Sequence, residues 1–263
     1  MSDMCPQCFN LNSQLIASKG YPVEEHNVTT RDSYVLMMQR IPAGRAERSV
    51  QLHQKPAVIL MSGLQGSSAD YVVNMPDQSL GFMLADNGYD VWLANVRGTR
   101  YSSHLHLKKS SSGFWDFSLD EMISYDLPDQ IDTVLNVTQQ EALFYVGWSQ
   151  GTAIMFGLLS SKPEYNQKPW PPAYNLRNVT TRVALYWGDG DVLATPRDVR
   201  DLYKKLPNVV LNYKVPVSGF THLDFGWSIK AKDHLYKKML GMMSAYSRTR
   251  QQVSSPKEVP EFL

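Results

Sequence analysis

The sequence predicts an α/β fold, a mostly parallel central sheet with helices on both faces. Three observations carry that reading. Short apolar runs alternate with stretches of helical spacing along the whole chain. The runs Pro-Ala-Val-Ile-Leu-Met (56–61) and Ala-Leu-Phe-Tyr-Val (142–146) are apolar throughout, as strands covered on both faces are. The second run passes through Gly147-Trp148-Ser149-Gln150-Gly151 into Thr152-Ala153-Ile154-Met155-Phe156-Gly157-Leu158-Leu159, a strand, tight turn and buried helix.

Taken in order, 1–20 is an N-terminal extension holding both cysteines, Cys5 and Cys8. Their C-x-x-C spacing stands alone, and a redox or zinc site needs further partners. Two strands, 26–30 and 34–41, are joined at Arg31-Asp32-Ser33 as a hairpin. The 56–61 strand closes on Ser62-Gly63-Leu64-Gln65-Gly66. A helix over 78–87 ends at Gly88, and a strand covers 90–96. Ser118 and Glu121 form a capping box for a helix that Pro128 kinks or splits. Beyond the 152–159 helix, 162–181 is a short connection rich in Pro and polar residues. Then follow a strand (182–187), a helix (197–206), a strand (209–215) and a closing helix (231–246), with a loose tail over 248–263. The whole of 1–263 is one domain.

The formal net charge of +1 gives no field that would draw nucleic acid or an acidic membrane. No apolar run is long enough to span a bilayer. The first residues have neither the basic start nor the apolar stretch of a secretory leader. Three sequons, at Asn27, Asn136 and Asn178, nevertheless fit passage through a secretory route.

The Gly-x-Ser-x-Gly turn makes Ser149 a candidate nucleophile. A serine hydroxyl needs a base within hydrogen-bond reach, and the base needs an orienting acid. In this architecture they follow the serine in the order acid, histidine. Of six histidines, His26 and His53 precede Ser149, His104 and His106 form an H-x-H pair without a third ligand, and His234 lies inside the closing helix. His222 alone follows the last strand in a loop. Asp189 and Asp191 both follow the 182–187 strand, and either is a candidate acid; Asp224 sits too near His222 and reads as a pin for its loop. The oxyanion donors are the backbone N–H groups of Gln150, after the nucleophile, and Leu64, after the 56–61 strand.

At this point the chain resembles the acid lipases, the group of lysosomal acid lipase and gastric lipase. The resemblance runs through Gly20-Tyr21-Pro22-Val23-Glu24-Glu25, Arg40-Ile41-Pro42, Asn95-Val96-Arg97-Gly98, Phe114 to Met122, Tyr125-Asp126-Leu127-Pro128, Val146 to Gly151, Asp191-Val192-Leu193-Ala194 and His222-Leu223-Asp224-Phe225. It implies an α/β-hydrolase fold and a triad of Ser149, Asp191 rather than Asp189, and His222, with Leu64 and Gln150 as oxyanion donors. It also implies triacylglycerols, cholesteryl esters or related esters at a lipid–water interface, secretory or lysosomal residence, and no cofactor or metal.

Three departures stand out. Trp148 replaces the family's histidine before the nucleophile, and Ser62-Gly63 replaces its His-Gly. Only 42 positions separate Ser149 from Asp191, where family members carry a cap domain and a further central strand. The resemblance therefore implies a shortened form, without most of the cap and without the leader. In such a form the 182–187 strand is expected to pair directly beside the 143–146 strand and fill the vacancy. Apolar surface is expected to lie open around the site. The rival reading is a catalytically impaired lipid-binding or regulatory protein on a hydrolase scaffold; another serine hydrolase, such as a peptidase, is the third.

Overall fold

A computed structural model describes residues 11–46, 55–161 and 175–254. Its eight strands are β1 (Glu24–Thr29), β2 (Tyr34–Ile41), β3 (Ala57–Met61), β4 (Asp90–Ala94), β5 (Ser102–His104), β6 (Phe144–Gly147), β7 (Val183–Trp187) and β8 (Val209–Lys214). The longer helices are α1 (Leu11–Ser18), α2 (Leu80–Asp86), α3 (Leu127–Thr138), α4 (Gln150–Ser160), α5 (Pro196–Lys205) and α6 (Lys237–Ser254).

The main sheet has the order β1-β2-β4-β3-β6, with β5 on β2. The hairpin β1–β2 is antiparallel, and β4, β3 and β6 run parallel to one another. Apolar runs become parallel strands here because both faces are buried. Val58 and Leu60 join Val91 and Leu93 in a core closed by Phe82, Leu84 and Leu240. Ala57, Ile59 and Met61 point the other way, with Trp92, against Leu127, Val134 and Ile154. Every residue of β3 and β4 is buried. Burial of such strands stabilises the fold at ~25 cal/mol per Å² of apolar area removed from water.

Pro128 divides its helix as the sequence leads one to expect. A capped turn at Leu119–Glu121, with the Ser118–Glu121 capping box present, runs into a π-helical turn at Met122–Asp126 and then α3, with Pro128 in its first turn. The backbone stays right-handed through Asp126 and Leu127, so the proline, which lacks an N–H, sits where the helix passes from the wider π turn into α3.

Three expectations are corrected. The N-terminal extension contains a packed helix: in α1, Ile16 is fully buried and Asn12 donates to Gln39 Oε1 and Ser68 Oγ at 3.2 and 2.8 Å. The closing helix does not stop at 246; it begins with a π-helical turn at Lys232–Tyr236 and runs as α6 to Ser254, inside the stretch read as loose tail.

The third correction concerns the vacancy. Among the described residues β7 pairs only with β8, in a separate parallel pair, and β6 pairs only with β3. The two halves are joined by helices instead of a ladder. From α4, Ile154 packs on the main sheet while Phe156 and Leu159 pack with Val183, Leu185 and Leu206. From α6, Tyr246 meets Phe144 of β6 and lies under the Arg182 guanidinium, while Met242 accepts from Tyr186 of β7. Side chains of both helices thus hold the two sheets together without a shared ladder. All four residues of β6 are accordingly only half-buried.

Candidate active site

Ser149 stands between β6 and α4 with φ 56° and ψ −119°, outside the regions that residues with a side chain ordinarily occupy. The surroundings impose that turn. A Cβ at residue 151 would lie 2.4 Å from the Met61 carbonyl oxygen, and one at 147 would lie 2.7 Å from the Thr152 nitrogen. Only glycine lets α4 start this close to the strand ends. Hydrogen bonds then clamp the turn. Trp148 N donates to Met61 O at 3.0 Å, Tyr145 OH to Gly151 O at 2.7 Å, and Thr152 Oγ1 to Gly147 O at 2.8 Å.

The turn after β3 lies against the serine. A Cβ at residue 63 would stand 2.8 Å from Ser149 Cβ and 3.3 Å from its Oγ. Ser62 Oγ donates to Ser67 O at 2.7 Å, and Ser68 N to Asn95 Oδ1 at 3.0 Å, which fixes the turn to the end of β4. Among the described residues the backbone N–H groups of Leu64 and Gln150 donate to no protein acceptor. Gln150 opens α4, where an N–H has no partner within the helix and the helix dipole favours negative charge.

Asp191 and His222 meet in a hydrogen bond between Oδ2 and Nδ1 at 2.8 Å. The other oxygen of Asp191 accepts from Leu193 N and Ala194 N, both at 2.9 Å. Asp191 is buried and its acceptors are occupied, so the carboxylate is held in one orientation. Asp189 serves elsewhere: it pairs with Lys214 at 2.8 Å and accepts from Gly219 N at 2.8 Å. The Lys214 ammonium and the Gly219 N–H hold its carboxyl below the usual range. Asp224 accepts from both Thr221 N and Thr221 Oγ1 at 2.7 Å, as a pin for the loop. No hydrogen bond joins Ser149 Oγ to His222 among the described residues.

The remaining histidines have local partners. His26 pairs with Glu24 at 3.0 Å and tilts against Trp92. His104 Nδ1 accepts from His106 N and Leu107 N at 3.0 and 3.1 Å, so the H-x-H pair is a turn with its own acceptor. The carbonyl of His234 accepts from Tyr213 OH at 3.0 Å. His53, Cys5 and Cys8 lie outside the described residues. Of the sequon asparagines, Asn27 and Asn136 are exposed, whereas Asn178 is half-buried and donates to Ser160 O at 3.3 Å.

Two further features mark the site: the first escapes a reading of the sequence, and the second is the open apolar surface expected from the short connection between Ser149 and Asp191. The Trp148 indole spans from the nucleophile turn to the His222 loop, with Nε1 donating to His222 O at 3.1 Å. Large apolar side chains at or near the candidate residues in sequence are exposed: Leu64 itself, Val192 and Leu193 after Asp191, and Leu223 and Trp227 after His222. Trp148 is visible in the sequence only as an unusual residue before the serine. No described helix is long and apolar enough to cross a membrane.

Comparison with known proteins bears on the fold and on what the sequence is similar to. Residues 12–75 match the family described as a partial alpha/beta-hydrolase lipase region, and residues 56–168 match the alpha/beta hydrolase fold. Human Lipase member K is 49% identical over 161 residues, covering 60% of this chain and 40% of that protein. Human Lipase member J is 40% identical over 203 residues, covering 77% of this chain and 50% of that protein. The chain thus spans about half the length, or less, of these relatives. Bovine gastric triacylglycerol lipase is 28% identical over 362 aligned positions, 88% of this chain and 90% of that protein; a chain of 263 residues fills such an alignment only with long gaps.

Among solved structures, a putative lipase from Acinetobacter baumannii superposes with a TM-score of 0.60 at 12% identity, covering 93% of this chain and 96% of that one. The Pyrococcus furiosus esterase Pf2001 does so with a TM-score of 0.60 at 14% identity, covering 88% and 92%. Those two likenesses concern the fold. With the sequence matches beside them, the chain has the α/β-hydrolase fold and is similar to lipases over the matched residues.

Proposed function

We propose that this chain is a serine hydrolase of lipid carboxylic esters, with triacylglycerols or cholesteryl esters as the substrate class, working through an acyl-enzyme. Ser149 Oγ attacks the acyl carbonyl, and His222 takes its proton and returns it to the departing alcohol. Asp191 holds the imidazole in the tautomer that leaves the other ring nitrogen facing the serine. The N–H groups of Leu64 and Gln150 receive the oxyanion. Water then attacks the acyl-enzyme, with His222 again as base, and releases the acid. The observation that carries the reading is the hydrogen bond between buried Asp191 and half-buried His222, in a chain whose Ser149 is held in a strained strand-to-helix turn.

The exposed apolar side chains near the candidate residues support a lipid substrate over a soluble one. Leu64, Val192 and Leu193 are 72%, 82% and 71% exposed, a costly arrangement in water that contact with a lipid surface relieves. Exposure of the sequons at Asn27 and Asn136 supports a secretory or lysosomal setting. A mobility shift on endoglycosidase treatment of the cell-expressed protein tests that setting, and its absence counts against it.

The second reading is a lipid-binding protein without turnover. It draws on the unpaired edges of β6 and β7 and on the missing Ser149–His222 hydrogen bond. Hydrogen bonds of this kind are often long before substrate arrives. Labelling with a fluorophosphonate ester, mapped by peptide mass, separates the two. Label on Ser149 that vanishes in Ser149→Ala and His222→Ala supports the hydrolase. A cooperatively folding wild type that takes no label refutes it.

A further inference from the structure

The nucleophile turn and the base loop belong to different sheets. Ser149 follows β6 of the main sheet, while Asp191 and His222 follow β7 and β8 of the separate pair. A shared ladder would fix their separation to the spacing of adjacent strands, but none joins β6 to β7 among the described residues. Something else has to set the distance between serine and base, because a displacement of about 1 Å costs about 10²-fold in rate.

Trp148 has the geometry for that task. Its backbone N–H is bound to Met61 O at 3.0 Å, so its stem is part of the nucleophile turn. Its indole Nε1 donates to the carbonyl oxygen of His222 itself at 3.1 Å. The ring lies 5.9 Å from the His222 ring, centroid to centroid, and meets Trp227 edge-on at 6.4 Å. Its outer edge packs on bare backbone: a Cβ at residue 226 would stand 2.9 Å from Trp148 Cζ3. Asn74 ties the far end of the same loop by donating to Trp227 O at 3.1 Å, but it is remote in sequence from Ser149. Trp148 is adjacent to Ser149 and holds residue 222 directly.

We infer that Trp148 is a positioning residue: it braces His222 against the nucleophile turn and stands in for the absent ladder between β6 and β7. The inference rests on the hydrolase reading above. Trp148 touches the backbone of the base and does no chemistry itself, so its loss should slow the chemical step without weakening substrate binding.

The test is Trp148→Phe, which keeps an aromatic ring and removes the N–H. With a short-chain nitrophenyl ester, kcat is expected to fall about 10- to 100-fold with KM within about twofold. Fluorophosphonate labelling of Ser149 should slow by the same factor, with the thermal melt little changed. In a His222→Ala background, where there is no base to position, Trp148→Phe should cost nothing more. Gly226→Ala, which keeps the N–H but pushes the indole aside, should reproduce the kcat loss; it carries the test if Trp148→Phe does not fold. Wild-type kcat in both variants overturns the inference while leaving the hydrolase reading intact. So does an equal further loss in the His222→Ala background, which would mark general structural damage. A folded wild type without labelling at Ser149 overturns both.

Discussion

Arg97 holds the carboxylate of Asp126 with two donors, its backbone N–H at 2.9 Å and its side-chain Nε at 2.8 Å. Both side chains are buried. On its other side the guanidinium takes Asp32 at 2.7 and 3.0 Å and lies 4.1 Å over the Tyr34 ring. One cation thus joins the end of β4, the β1–β2 hairpin and the helix that leads to β6. Removing one partner of a buried pair costs about 3–5 kcal/mol where the other charge is left stranded; here Asp32 still pairs with Arg97, so the loss is smaller. Asp126→Asn should lower the urea midpoint by a corresponding amount, with the m-value unchanged.

The same cluster sets a pH dependence. Burial pushes the Asp32 carboxyl up, but hydrogen bonds from Arg97 and Thr30 outweigh it and hold the group below its usual value. A carboxyl whose folded pKa is depressed adds stability above its unfolded pKa, about 3.9. That stability is lost as pH falls through the folded value. The Asp32 contribution should therefore be constant from neutral pH to about pH 4 and decline below that. Thermal melts across that range should fall more steeply for wild type than for Asp32→Asn; parallel curves would refute the assignment.

Ser149 holds its turn at a conformational cost. Strain of this kind is worth about 1–3 kcal/mol, and glycine gives back roughly 0.5–1 kcal/mol of it in backbone entropy. Ser149→Gly is expected to raise the melting temperature modestly while abolishing ester hydrolysis and labelling. Ser149→Ala, with its Cβ retained, should abolish activity with little gain in stability. Calorimetry on the three proteins compares them directly.

The two candidate acids make a direct contrast. Asp191→Asn should lower kcat by about 10⁴, the loss seen when the orienting carboxylate of such a triad is neutralised. Asp189→Asn breaks a half-exposed pair with Lys214 and should leave kcat within about threefold, in line with the small worth of surface ion pairs. A reversal of the two effects would move the acid to Asp189.

Gly63 is expected to separate activity from stability. Its added Cβ meets the Ser149 side chain at 2.8 Å, whereas a Cβ at Gly151 meets the Met61 carbonyl oxygen at 2.4 Å. Gly63→Ala should push the Leu64 turn and cost at least about 10-fold in kcat with a small change in melting. Gly151→Ala should destabilise by about 1–3 kcal/mol as overpacking does. Parallel melts and ester assays check both.

Much of this protein was open to reading from its residues because the determinants are local. Apolar runs that alternate with helical patterns announce the strands of a doubly covered sheet. Glycines at 147 and 151 around a serine announce the turn, since only a residue without Cβ fits there. The order of serine, acid and histidine that goes with such a turn picks out Ser149, an aspartate after the 182–187 strand and His222 as candidates. Three things needed the tertiary structure, and each depends on pairings between distant segments. Asp191 and Asp189 follow the same strand two positions apart; local pattern leaves both open and the resemblance favours Asp191, but the reason lies in the packing of the 219–222 loop, which turns one toward His222 and the other toward Lys214. The expected pairing of β7 with β6 fails, because a ladder depends on relative placement that no local pattern encodes; helices α4 and α6 hold the two sheets without one. Trp148 reads in sequence as a plain substitution before the serine. Its reach to the carbonyl of residue 222 exists only once the two sheets stand side by side.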